Sequence, residues 1–248
     1  MQSPLVESAC LIVGNILLYF CLKDPNKGFT KEDRVQNDIQ GASGFIRLLL
    51  MKYSFLLFTF TELCLCLMPR PTHPYFLVVR PGTLENLPLG LSLAHKYSSL
   101  ASSLRLLSFP IFVASGAFRL WAMHTLGEFF TFTLSIREGH KLISDGPYAY
   151  VRNPSYTGLY GFIGSGTIIM ITSELAERIV GLRTTLTQTG WLGTTLLTIS
   201  GITAIRIAHR NVIAPRIKNE ETMLEGTFGP EWEEYTKKVP YRVLPHVW

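Results

Sequence analysis

Charged side chains are scarce in this chain. Asp, Glu, Lys and Arg make up 17% of 248 residues while 47% are hydrophobic, and the apolar residues are clumped rather than spread. Recognisable metal-ligand spacing is also missing. His73, His95, His124, His140, His209 and His246 are scattered, with no His-x-x-x-His pair and no Cys/His cluster, which argues against a metal site. Cysteine is limited to Cys10, Cys21, Cys64 and Cys66, all inside apolar runs. Positions i and i+2 of a helix do not face each other, so buried free thiols are expected rather than a disulfide or chelate at Cys64 and Cys66. No long basic run or RNA-binding signature is present, and nucleic acid is not an expected partner. The last four residues, Pro245-His246-Val247-Trp248, contain no cysteine, so the chain is not expected to be prenylated there. There is no internal repeat and no low-complexity tract.

What the chain does have is apolar runs of membrane-spanning length. Five candidates lie at residues 5–22, 48–68, 104–123, 156–172 and 189–207, and runs of about 20 apolar residues suit a bilayer-spanning helix better than a soluble core. The first is read as a retained span rather than a signal peptide, because residues 1–4 carry no basic side chain and Glu7 lies inside the run. The expected fold is therefore all-α, an integral membrane helical bundle of about five transmembrane helices. Residues 1–120 would be an N-terminal membrane-helix region and residues 121–248 a catalytic one. Retention of Lys and Arg on the cytoplasmic side puts Lys23 to Arg47, Arg137 to Arg152 and the tail basics Arg206 to Arg242 in the cytosol. The net charge of +5 suits an anionic leaflet. Residues 69–103, rich in proline, are expected as a turn-rich lumenal connection with room for a re-entrant or sixth short span.

The most informative segment is 139–158. It gathers His140, Tyr148, Arg152, Asn153 and Tyr156 into a turn-rich loop that ends where the apolar run 158–172 begins. A polar, aromatic loop against a membrane helix is a place for chemistry at a bilayer surface. Gly158, Gly161 and Gly164 recur every three residues and are expected to let another helix approach closely, or to let a cofactor or lipid chain lie against the backbone. In the tail, Arg216 and Glu220 stand at i and i+4 on one helix face, with Pro215 able to kink or restart that helix.

Three blocks in order are similar to one family. They are His140-x-Leu142-x-x-x-Gly146-Pro147-Tyr148-x-x-x-Arg152-Asn153-Pro154-x-Tyr156-x-Gly158, then Arg216 with Glu220-Glu221, then Phe228-Gly229-x-x-Trp232-x-x-Tyr235. Across about residues 121–245 the chain resembles the protein-S-isoprenylcysteine O-methyltransferases. The resemblance implies transfer of a methyl group from S-adenosylmethionine to the C-terminal carboxylate of a prenylated cysteine in processed C-a-a-X proteins. It also implies an endoplasmic reticulum membrane location with the site facing the cytosol. Carried over by position, His140, Lys141, Leu142, Ile143, Tyr148, Asn153, Pro154, Ser155, Tyr156 and Glu220 match cofactor-binding positions, and Arg216 matches the arginine assigned to substrate. The chain departs from its relatives at Asn153, where they usually have histidine. An amide can donate and accept hydrogen bonds but cannot carry charge.

The chemistry is consistent with the absence of a catalytic dyad. An α-carboxylate, with a reference pKa near ~3.5, is already ionised in the cytosol and needs no general base to attack a sulfonium methyl. What it needs is in-line positioning, and the planar fork of an arginine can provide it. Two rival readings change the acceptor or the chemistry. Phospholipid N-methyltransferases share a similar tail motif, but an amine acceptor gains nothing from an Arg216 clamp. An NADPH-dependent sterol reductase has a related signature, but Gly146-Pro147-Tyr148 and Glu220-Glu221 look more like the methyltransferases.

Overall fold

The computed structural model describes residues 4–23, 53–64, 88–132, 136, 139–173, 176, 195–196, 199–201, 203, 206–207 and 209–245. Among these the chain is helical, with no strand. Its helices are α1 (Pro4–Leu22), α2 (Tyr53–Cys64), α3 (Pro88–Leu126), α4 (Pro154–Ile171), α5 (Ala214–Phe228) and α6 (Pro230–Lys238). Short 3-10 turns lie at Gly127–Phe129 and Gly146–Ala149, and a π turn at His209–Ile213 leads into α5. Pro4, Pro88, Pro154, Pro215 and Pro230 all fall in a first helical turn. There the missing N–H costs nothing and the fixed φ favours helix. Pro215 therefore restarts the helix after the π turn.

Proline placement also corrects one expectation. Residues 88–103, expected as part of a turn-rich connection, are helical and continuous with the apolar run behind them. Pro88 starts that helix, and the next proline is Pro110, so nothing interrupts it over residues 89–109. The 39 residues of α3 reach about 58 Å at 1.5 Å per residue. Residues 69–87 lie outside the described residues.

Among the described residues, Ser103–Phe129 is the one helical stretch both long and apolar enough to cross a membrane, and it contains the expected span 104–123. The apolar part of α1, Ala9–Leu22, is shorter. Helix α4 covers the expected span 156–172, but Gly158, Gly161, Gly164 and Gly166 and its hydroxyl residues dilute its apolarity. The run 48–68 is described at Tyr53–Cys64, and 189–207 falls largely outside the described residues.

The core forms where α1, α2, α3 and α4 meet around Phe112, which is almost fully buried. Its ring stacks on Phe162 at 4.0 Å and on Phe55 at 6.0 Å, and Leu18 and Ile169 complete the cluster. Helices α2 and α3 run antiparallel, because Phe55 meets Phe112 while the later Glu62 meets the earlier Arg105, whose Nη2 donates to its carboxylate at 3.2 Å. Glu62 is completely buried, so this ion pair helps set the register of the two helices.

Helix α3 packs mainly on α4, at backbone distance. A Cβ on Gly158 would stand 2.7 Å from Arg119 Cβ and 2.8 Å from both Arg119 N and Ser115 O, and one on Gly161 would collide with Ser115 Oγ. Gly164, in contrast, faces open space, and the face is continued by Ser165 and Gly166. The expected stripe of every third residue is thus corrected. Three residues advance a helix by only 300°, so by Gly164 the repeat has rotated off the contact.

Beyond the bundle, α5 ends at Gly229, whose φ of +50° is a conformation that L side chains rarely adopt. Its N–H closes on Glu225 O at 2.9 Å, and Pro230 starts α6 at once. Helix α6 turns Trp232 and Tyr235 inward, with Val239 beyond its end, against Leu142, Leu224 and Phe228. Burial of each large side chain is worth roughly 1.5–3 kcal/mol. That cluster clamps the tail onto the 139–153 loop.

Candidate active site

Three groupings of side chains meet where α4, the loop before it and α5 converge. In the first, Tyr156 stands between the tail residues Arg216 and Glu220. Arg216 Nε donates to the Tyr156 hydroxyl at 2.9 Å, and that hydroxyl donates to Glu220 Oε2 at 3.1 Å. Arg216 Nη2 also donates to the carbonyl of Phe132. The one-turn spacing of Arg216 and Glu220 lets a single phenol bridge them, and two hydrogen bonds fix the guanidinium plane. Burial raises the Glu220 carboxyl above the usual carboxylate range, opposed by the Arg216 charge and the Tyr156 hydrogen bond. Glu220 is thus a partly buried acid whose ionised form is favoured by any cation placed beside it.

The second grouping is centred on Glu221, buried one residue further on. Its Oε1 accepts from Arg152 Nε at 3.0 Å and Asn153 Nδ2 at 3.1 Å, and its Oε2 from Arg242 Nε at 2.9 Å. Backbone bonds run alongside, Arg152 N to Tyr241 O at 2.9 Å and Asn153 N to Arg242 O at 2.8 Å. Thr157 Oγ1 donates to Val243 O at 2.6 Å. The last described residues are thereby laced to the start of α4.

The third grouping is aromatic. His140 lies between Phe129, 4.6 Å away by ring centroids, and Phe228 at 5.7 Å. Tyr148 is buried, with its hydroxyl donating to Ala122 O at 3.4 Å and its carbonyl accepting from the Tyr235 hydroxyl at 2.8 Å. Burial pushes both phenols well above their ordinary range, reinforced at Tyr148 by Glu220, so they remain protonated donors at any physiological pH.

The residues singled out from sequence therefore separate. Tyr156, Arg216 and Glu220 share one network, whereas the Asn153 amide turns to Glu221. Leu142 packs in the α6 cluster, Ile143 is half-buried and Lys141 exposed. Pro154 is buried at the start of α4, and Ser155 bonds to Arg119. Sequence reasoning misses Arg119, Arg242 and the central part played by Glu221. For Arg119 a signal exists: it is a charge inside an apolar run, which costs about 2.5–3.5 kcal/mol at a bilayer centre and marks a functional candidate. No comparable signal distinguishes Glu221 from its neighbour.

Comparison with known proteins points in one direction. The isoprenylcysteine carboxyl methyltransferase family model matches residues 106–187, spanning most of α3, the 139–153 loop and α4. The chain is 28% identical over 182 residues to a protein-S-isoprenylcysteine O-methyltransferase of Schizosaccharomyces pombe, covering 67% of this chain and 65% of that protein. It is 31% identical over 124 residues to protein-S-isoprenylcysteine O-methyltransferase B of Arabidopsis thaliana, covering 49% and 50%.

The chain is similar to the isoprenylcysteine carboxyl methyltransferase family over residues 106–187.

The matched stretches span just under two-thirds and about one-half of those relatives' own lengths. In family terms the match includes the His140 to Tyr156 block, while Arg216 and Glu220 lie beyond residue 187 and join it through Tyr156.

Proposed function

We propose that the chain methylates the C-terminal carboxylate of a prenylated cysteine, using S-adenosylmethionine, at the cytosolic edge of the endoplasmic reticulum membrane. The observation that carries this reading is the Arg216–Tyr156–Glu220 network, which sets an oriented guanidinium beside a carboxylate at the foot of an apolar helix. The family match over residues 106–187 and the names of the two relatives support it.

The residues present suit the cofactor. Glu220 offers a negative charge to a cationic ligand, Tyr148 and Tyr156 offer π faces worth about 0.5–2 kcal/mol to such a cation, and His140 sits in an aromatic stack. When bound, S-adenosylmethionine supplies an electrophilic sulfonium methyl. The remaining work belongs to the protein. Arg216, oriented by Tyr156 and Phe132, would hold the substrate carboxylate with its planar guanidinium. No side chain has to take a proton, in keeping with phenols held protonated by burial.

The prenyl chain of a C-a-a-X protein would lie in lipid, and the helices provide for that. Ile12, Ile16 and Phe20 on α1, Leu56, Leu57 and Phe60 on α2, and Leu106, Leu107 and Ile111 on α3 are all exposed, an outward apolar character that suits contact with lipid. We read these faces as lipid-facing within a bundle of about five spans, with the lipid bilayer as a partner. Titration of labelled S-adenosylmethionine and of NADPH against detergent-purified protein tests the reading. Binding of the former, followed by methylation of farnesylcysteine and not of phosphatidylethanolamine, is expected. Binding of NADPH alone would overturn it in favour of a reductase.

A further inference from the structure

Arg119 lies in α3, within the apolar stretch Ser103–Phe129, and is almost completely buried. Such a charge survives only where its donors are satisfied. Its Nε donates to Cys21 O at 3.3 Å, one of the final-turn carbonyls of α1 that lack a partner within their own helix. Its Nη1 donates to Ser155 O at 3.0 Å and to Ser155 Oγ at 2.7 Å. Its guanidinium carbon stands 6.0 Å from the centroid of the Phe132 ring.

Two of these contacts lead to the residues that hold Arg216, one directly and one through a chain neighbour. Ser155 precedes Tyr156, whose hydroxyl accepts from Arg216 Nε, and Phe132 contributes the carbonyl that accepts from Arg216 Nη2. One buried guanidinium therefore bonds to the residue next to Tyr156 and stands over the ring of Phe132. The absence of a side chain at Gly158 lets this happen, because it brings α4 onto the backbone of Arg119 itself.

We propose that Arg119 is a positioning residue, which fixes the orientation of Arg216 through Ser155–Tyr156 on one side and Phe132 on the other. It touches neither substrate nor cofactor. The role taken for Arg216 is the carboxylate clamp proposed above.

The test uses the full chain in detergent micelles with Arg119→Lys, which keeps the charge and loses the planar fork. Two readouts apply: turnover of an N-acylated farnesylcysteine, and the Nε–H resonance of Arg216 in arginine-labelled protein. The variant is expected to bind S-adenosylmethionine within about threefold of wild type, as a contact-free residue should. Turnover number is expected to fall roughly tenfold or more, with little change in KM. In an Arg216→Ala background the same substitution should add no further loss, because residues acting through one another are non-additive. The Arg216 resonance, ordered in wild type, should broaden or shift to the position of a solvated arginine. A multiplicative loss in the double variant, or an unchanged resonance, overturns the positioning role. If the wild type fails to methylate farnesylcysteine while the resonance still collapses in Arg119→Lys, the activity reading falls and the positioning role stands.

Discussion

At the scale of single residues, adjacent glutamates take different parts. A step of one residue rotates a helix by about 100°, so Glu220 faces Tyr156 and Arg216 while Glu221 faces Arg152, Asn153 and Arg242. Under the proposed activity, Arg216→Ala should lower turnover of a prenylcysteine by roughly 10- to 150-fold, the equivalent of a charge-assisted hydrogen bond of about 1.5–3 kcal/mol. Cofactor affinity should hold, Arg216→Lys should rescue poorly, and wild-type kinetics in the alanine variant would remove the residue from the site. Glu220 carries a pH signature of its own. Its carboxyl is raised by burial above the ordinary 4.5, so the folded state takes up a proton more readily than the unfolded chain. Its contribution to stability therefore declines as pH climbs from 4.5 toward the raised value. A cationic cofactor favours the ionised form, so S-adenosylmethionine affinity should increase with pH through that same window. Calorimetry from about pH 4.5 upward should show this rise, and Glu220→Gln should flatten it. An identical slope in the variant would assign the proton to another group.

At the scale of elements, the α3–α4 contact is set by where glycine is needed. A methyl on Gly158 would meet backbone atoms of α3 at 2.8 Å, where nothing can yield, whereas one on Gly164 would have no neighbour within 4 Å. Gly158→Ala should force the helices apart and lower the melting temperature in detergent, by an overpacking penalty of about 1–3 kcal/mol. Gly164→Ala should be neutral or stabilise by up to about 1 kcal/mol through helix propensity. Equal effects at both positions would mean that the close approach is not made. These two residues also show what a pattern can and cannot reveal. Glycine at every third position advertises a smooth face, but the helical period decides which of them lie on it. Similarly, the i, i+4 spacing of Arg216 and Glu220 is legible in the sequence, while the Tyr156 hydroxyl between them is not, since it arrives from a different helix, far earlier in the chain. Glu221 is hidden for the same reason: its partners Arg152, Asn153 and Arg242 come together only through tertiary folding. Helix α3 is half-legible, because the proline-rich segment ahead of it hides the fact that its last proline begins a helix.

At the scale of the whole molecule, the loop and the tail form one body. The Tyr235 hydroxyl reaches Tyr148 O, the backbone of Arg152 and Asn153 bonds to Tyr241 and Arg242, and Glu221 ties both segments to α5. Since the loop precedes α4 and the tail follows the apolar run 189–207, contact between them requires that the chain leave that side and come back. Under the proposed five-span reading, a hairpin crossing the membrane twice would do so and would put the basic tail and the motif loop on one face. Asp145 and Lys237 are both exposed, on opposite partners of this contact. Single cysteines replacing each, in an otherwise cysteine-free chain within sealed vesicles, should react equally with a membrane-impermeant maleimide, on the cytosolic face. Labelling of the two from opposite sides would contradict the contact itself. Equal labelling from the lumenal side would keep the assembled site but reverse the orientation, and would separate it from a cofactor made in the cytosol.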